Sequence, residues 1–181
     1  MNYQIILKEI HEKQLETFCS VKKFRKNTDL LKNHRGLYWI WTNLSFSDLK
    51  DITTTENPKE VPVPKLVKLR ENLTNIYRTL NNNNFTIIYN GIGGYGKKYV
   101  TSLRDRINQE LFCNAKGTGT LNLLNRTIKG KTINDNLAIS YIYFDENSSS
   151  EINKKLKNPE GAKEIETNWR IEYGIPILTR H

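Results

Sequence analysis

The sequence predicts an α/β protein: a small three-stranded sheet covered by helices. Three observations carry the prediction. First, Gly36–Thr42 (GLYWIWT), Phe85–Tyr89 (FTIIY) and Leu137–Phe144 (LAISYIYF) are short runs of aromatic and β-branched residues. Second, apolar residues recur at helical spacing in the segments around these runs. Third, 181 residues with 37% hydrophobic content suffice for one real core and hardly for two, and no linker or internal repeat divides the chain. The reading is therefore one domain over residues 1–181.

The elements follow in order. Ile6, Ile10, Leu15 and Phe18 predict an amphipathic helix over residues 3–18. A basic run follows, with Lys22, Lys23, Arg25, Lys26, Lys32, His34 and Arg35. It is either a solvated face or a track for phosphates. After the first strand, residues 45–63 read as loop, broken by Pro58 and Pro62 with Pro64 just beyond. Leu66, Leu69, Leu73, Ile76 and Leu80 predict a helix over 65–80, ended by the run Asn81 to Asn84. The second strand, Phe85–Tyr89, runs into Gly91, Gly93, Gly94 and Gly96, where no regular element is expected to survive. Thr101 or Ser102 can cap the next helix, which ends near Phe112. Residues 121–136 have no clear pattern. The third strand, a turn at 147–150 and a helix from Pro159 to Tyr173, stopped by Gly174 and Pro176, complete the chain.

A formal charge of +9 and a pI of about 9.5 point to a polyanion, nucleic acid first, although an AT-rich genome also inflates lysine and asparagine. Lys116, Arg126, Lys129 and Lys131 can reach bases or merely solvate a loop. Cys19 and Cys113 are isolated and form no zinc-type spacing with histidine. The N-terminus lacks a signal-peptide pattern, and no apolar run approaches the ~18 residues of a membrane span. A location inside the cell is the expectation.

The central stretch carries the chemistry. A strand delivers Tyr89 to its end, and a helix returns with Arg104 and Arg106 beside it, which can assemble a phosphate site. Gly91, Gly93 and Gly96 spell G-x-G-x-x-G between strand and helix, but the acid expected about 20 residues on is missing, which argues against dinucleotide binding. In the first strand, alternation puts Leu37, Trp39 and Trp41 on one face and Tyr38 with Ile40 on the other. Glu166 falls at the edge of the last helix's stripe of Ala162, Ile165, Trp169 and Tyr173. A carboxylate there pairs with a base such as Arg170 or Arg104, or binds a cation.

Together, RGLYWIWTN, IIYNGIG, SLRDRI and IETNWRIEYGIPIL resemble the ordered motifs of the GIY-YIG nuclease superfamily. Gly36-Leu37-Tyr38 resembles the first tripeptide, and Tyr89-Asn90-Gly91 the second, with Asn90 in place of an aliphatic residue. The family arginine falls on Arg106 and the metal-binding glutamate on Glu166. The resemblance implies an α+β fold with a mainly antiparallel sheet, a core over 36–178 with insertions, and an N-terminal helical extension over 1–35. The separation of 51 positions from Tyr38 to Tyr89 resembles the insertions of the type II restriction endonuclease branch. The chain ends within ten residues of the last helix, which leaves little room for the long tail of homing members. Departures are Glu110 where members often carry His or Tyr, Ile92 where repair members carry lysine, and no asparagine after the last helix.

What the resemblance implies is a sequence-specific cut in double-stranded DNA. Glu166 would hold one Mg²⁺ per site, with Mn²⁺ as a substitute. Arg106 would clamp the phosphate. Tyr89 would take a proton from the attacking water; a phenol with a pKa of ~10 needs cationic help, which Lys97 or Lys98 would give. Tyr38 would position water or phosphate. Lys22, Lys23, Arg25, Lys26, Arg104, Lys129 and Lys131 are candidate DNA contacts. A homodimer on a palindromic site, a companion DNA methyltransferase and a prokaryotic cytoplasm complete the expectation. The alternatives are a nucleic-acid-binding module that has lost catalysis and a homing or repair nuclease.

Overall fold

The computed structural model describes residues 3–54, 57, 59–77, 80–96, 102–113 and 119–179. Its elements, in chain order, are α1 (Tyr3–Glu16), β1 (Cys19–Ser20), α2 (Val21–Lys26), β2 (Gly36–Thr42), α3 (Phe46–Lys50), α4 (Val63–Arg70), β3 (Asn81–Asn82), β4 (Phe85–Gly93), α5 (Leu103–Leu111), β5 (Thr127–Ile128), β6 (Lys131–Thr132), β7 (Leu137–Tyr143), α6 (Glu151–Leu156) and α7 (Pro159–Tyr173). The main sheet has the order β1-β7-β2-β4-β3, and every pairing in it is antiparallel. The α+β architecture expected from the sequence is therefore present. Its three long strands are those predicted, and two-residue strands β1 and β3 extend the edges. β5 and β6 form a separate hairpin, turned by Lys129 and Gly130 at positive φ.

Strand β2 lies between β7 and β4, and all seven of its residues are buried. Its alternation sorts two cores. Leu37, Trp39 and Trp41 pack with α1, α6 and α7 through Ile6, Ile10, Leu156, Ile165 and Trp169. Tyr38 and Ile40 pack on the other face with α2, α4 and α5 through Phe24, Val67, Leu103 and Ile107. Helices thus cover both sides of one sheet.

Several expectations need correction. The glycine run does not end β4, which continues through Gly91 to Gly93. Gly91 pairs with Tyr38 and Gly93 with Gly36, so main-chain pairing holds the strand while the missing side chains make room above it. The predicted helix over 65–80 stops at Arg70. Arg70 Nη1 is tied to the Ile177 and Thr179 carbonyls at 2.8 and 2.6 Å, and Asn72, Thr74 and Asn75 are weak helix formers. Leu69, Leu73 and Ile76 consequently stay exposed, because the C-terminal segment covers the edge of β4 through Leu178 N to Ile88 O at 2.9 Å. Residues 45–63 are not all loop: Ser45 and Asp48 close a reciprocal capping box that starts α3. Leu15, counted in the buried stripe of α1, is exposed, and Gln14 is buried instead. The stretch after the third strand holds α6, capped by Ser150. Among the described residues, no helix is long and apolar enough to cross a membrane.

Candidate active site

The site begins with glycine in β4. A Cβ on Gly91 would lie 2.7 Å from Tyr38 Oη and 2.9 Å from two ring carbons. The Tyr38 ring crosses the sheet over the space that Gly91 leaves. Likewise, a Cβ on Gly93 would lie 2.7 Å from Arg106 Cβ. Helix α5 can therefore rest directly on β4. Ser102 starts that helix by accepting from Asp105 N at 3.1 Å, which places Arg106 in its first turns against the strand.

Arg106, Glu110 and Tyr89 form one network on this face. Arg106 Nη2 meets Glu110 Oε1 at 2.6 Å, and Nη1 donates to Gln109 Oε1 at 2.6 Å. Tyr89 Oη donates to the same Glu110 Oε1 at 3.2 Å, and Leu121 N donates to Oε2 at 3.1 Å. Glu110 is almost fully buried, and its two oxygens take three donors. Burial and the adjacent Glu110 carboxylate push the Tyr89 phenol up to about 12, against the opposing pull of Arg106. The cationic lowering expected for this phenol rests on the lysines of the glycine loop. Lys97 and Lys98, assigned that lowering, lie outside the described residues. For Arg106, burial is outweighed by Tyr38, Glu110 and Tyr89, which hold the guanidinium charged.

Tyr38 sits behind this network. Its hydroxyl is buried, makes no hydrogen bond of ordinary geometry among the described residues, and titrates well above the usual range through burial and its neighbours Tyr89 and Glu110. The two tyrosine rings lie 6.1 Å apart between centroids.

The opposite face contributes through α7, started by Asn158, which accepts from Gly161 N at 2.8 Å. Glu166 Oε1 pairs with Arg170 Nη2 at 2.8 Å. Of the two bases weighed for it, Arg170 is the partner. Arg170 Nε donates to Asn90 Oδ1 at 3.1 Å, and the Asn90 amide nitrogen is buried with no acceptor among the described residues. Burial raises the Glu166 carboxyl above its ordinary value, although Arg170, Lys163 and Arg106 all pull it down.

These two groups meet at the edge of β4 in a cleft of about 420 Å³, whose walls include Tyr89, Asn90, Arg106, Glu110, Glu166 and Arg170. The donor set suits one kind of metal. Glu110 is consumed by its donors, whereas Glu166 has only Oε1 engaged among the described residues. Among the described residues, no three His, Cys, Asp or Glu side chains converge as a ligand cage. A hard cation that takes one or two carboxylates and keeps its waters fits Glu166.

Other candidates lie elsewhere. Arg104 is buried; it stacks on Phe24 and donates to the Asn27 and Leu30 carbonyls at 2.7 and 3.1 Å, which turns it away from any phosphate. Arg126 is buried too, bonded to the Leu121, Thr53 and Val61 carbonyls. Lys22, Lys23, Arg25 and Lys26 are exposed on α2, and Lys129 and Lys131 on the hairpin. Lys22, Arg25 and Lys26 border a separate groove of about 510 Å³.

Sequence reasoning passed over Glu110, Asn90 and Arg170 as cleft residues. The signal was present in part: Arg106–Glu110 and Glu166–Arg170 are both i,i+4 pairs, neighbours on a helix surface. Comparison with protein-family models, curated proteins and solved structures found no match to this chain.

Proposed function

We propose that this chain is a Mg²⁺-dependent, sequence-specific endonuclease that hydrolyses phosphodiester bonds in double-stranded DNA, a type II restriction enzyme of the GIY-YIG kind. One observation carries the reading: Tyr89, Arg106 and Glu166, from three elements and both faces of the sheet, line a single cleft. Arg106 clamps a phosphate oxygen with a charge that its neighbours sustain. Tyr89 accepts the proton of the attacking water while passing its own to Glu110, to which it is already hydrogen-bonded. Tyr38, packed over Gly91, backs the Tyr89 ring and keeps water from its far side. Glu166 supplies a carboxylate oxygen for the metal, which would stabilise charge on the phosphoryl and leaving 3′ oxygens. The exposed lysines and arginine of α2 and of the β5–β6 hairpin add contacts to the DNA backbone. A homodimer would cut both strands of a palindrome, in a prokaryotic cytoplasm where a methyltransferase protects the host sites.

The test is digestion of unmethylated phage DNA with and without Mg²⁺. Discrete Mg²⁺-dependent bands are expected, and Arg106→Ala or Glu166→Ala should abolish them while DNA binding persists. Cutting at the wild-type rate by either variant would overturn the site assignment. A second reading, a DNA-binding module without catalysis, draws on the Tyr89 phenol at about 12 and on Arg106 and Glu166, each paired within the protein. Intact DNA that shifts on a native gel would favour it.

A further inference from the structure

The two ion pairs of the cleft run in opposite senses. On α5 the cation precedes the anion, Arg106 then Glu110; on α7 the anion precedes the cation, Glu166 then Arg170. The pairs also differ in how firmly they are held. Glu110 is fixed by Tyr89, Arg106 and Leu121 N together. Among the described residues, Glu166 is engaged through Oε1, by an arginine that also donates to Asn90 Oδ1.

Resting on the nuclease reading, we propose that Arg170 is a second phosphate-binding arginine that guards Glu166, holding the carboxylate in the empty site and releasing it to a hard divalent cation as it turns onto a phosphodiester oxygen. Two cations close to one buried carboxylate repel each other, and Lys163 already adds charge beside Glu166. Arg170 cannot resolve that conflict by losing its proton, since a guanidinium stays charged. It resolves it by moving, and a planar fork lining the cleft finds its next acceptor in a phosphate. Asn90 makes the movement limited. Its Oδ1 retains the Nε edge of Arg170, so the guanidinium pivots rather than leaves. Divalent cation and phosphodiester therefore bind with positive coupling, because each relieves the charge that the other leaves exposed.

Two metal-dependent and DNA-dependent measurements test this without relying on cleavage. Mn²⁺ is titrated into the DNA-free protein and followed by electron paramagnetic resonance. Arg170→Gln should bind Mn²⁺ at least about fivefold more tightly than wild type, and Glu166→Gln should lose the site. Asn90→Leu keeps both charges and loosens only the anchor, so it should give a smaller rise and covers the case in which Arg170→Gln does not fold. Separately, a short duplex is bound in EDTA. Glu166→Gln, which removes the carboxylate charge paired with Arg170, should bind it more tightly than wild type with a salt slope steeper by about one, and Glu166→Gln/Arg170→Gln should lose that gain. Unchanged or weaker Mn²⁺ binding in both Arg170→Gln and Asn90→Leu overturns the guard. Equal duplex binding by the single and double variants overturns the phosphate contact. If these shifts appear and no DNA is ever cut, the nuclease reading falls alone; if cutting is robust and the shifts are absent, the guard falls alone.

Discussion

Tyr38 occupies the space where a Gly91 side chain would stand, its hydroxyl oxygen 2.7 Å and its nearest ring carbons 2.9 Å from the position of the missing Cβ. The ring is fully buried and cannot step aside. Gly91→Ala should therefore cost about 1–3 kcal/mol of stability through overpacking. Urea unfolding of the variant measures it. Adding Tyr38→Phe removes the hydroxyl that the new methyl meets first and should restore part of the loss, leaving the contact with the ring carbons. An alanine variant as stable as wild type would show that β2 and β4 can part at this point.

Burial first, and the Glu110 carboxylate after it, hold the Tyr89 phenol up. Glu110→Gln removes the charge that helps hold Tyr89 near 12 and leaves the opposing Arg106 unchecked, so the phenol should titrate closer to its ordinary value of 10.0. Carbon-13 NMR of tyrosine-labelled protein, with Tyr89→Phe to assign the signal, reads this directly. A Tyr89 signal that titrates as in wild type would remove Glu110 as the cause.

The same phenol sets an alkaline limit on stability. Tyr89 keeps its proton to about 12 when folded, against 10.0 as its ordinary value, so between these values the folded state binds more protons than the unfolded state. Stability is intact below about pH 10 and is lost as pH rises toward 12. Tyr38 and Tyr95 are shifted the same way by burial and steepen the loss. Urea midpoints measured across this window should fall, and Tyr89→Phe should flatten the decline.

Arg104 and the α2 cations should separate stability from DNA binding. Arg104→Ala empties a buried guanidinium site and leaves the part-buried Asn27 and Leu30 carbonyls without this donor, and should cost about 1–3 kcal/mol, with no change in the salt dependence of DNA binding. Lys22→Ala with Arg25→Ala should leave the thermal midpoint nearly unchanged and reduce the salt slope by about two. The reverse pattern would place the DNA on the wrong face.

Elements that state their environment locally could be read from sequence. The aromatic strand Gly36–Thr42 announced its two faces by alternation, and α7 announced both ends through Pro159 and Gly174. What depended on distant partners could not be read. The Leu69, Leu73 and Ile76 stripe looked buried because nothing local revealed that Arg70 would be taken by the C-terminal carbonyls. The glycines of β4 looked like a break because their purpose lies in the Tyr38 ring and in α5, which pack over them from other parts of the chain. Motif order puts Tyr89, Arg106 and Glu166 forward as candidates, and all three line the cleft. Glu110 was taken as a departure because its meaning comes from donors on three different segments.

Strand β2 has one further consequence. It is hydrogen-bonded along both edges and covered on both faces, so no partial opening of the sheet exposes its amides. Hydrogen exchange there proceeds only through global unfolding, and Gly36–Thr42 should be the slowest-exchanging segment of the chain. Tyr38 rides on that segment. The cleft wall formed by Tyr89, Asn90, Gly91 and Ile92 of β4 is paired to this last part of the molecule to let go, and the groups facing it adjust against a fixed reference.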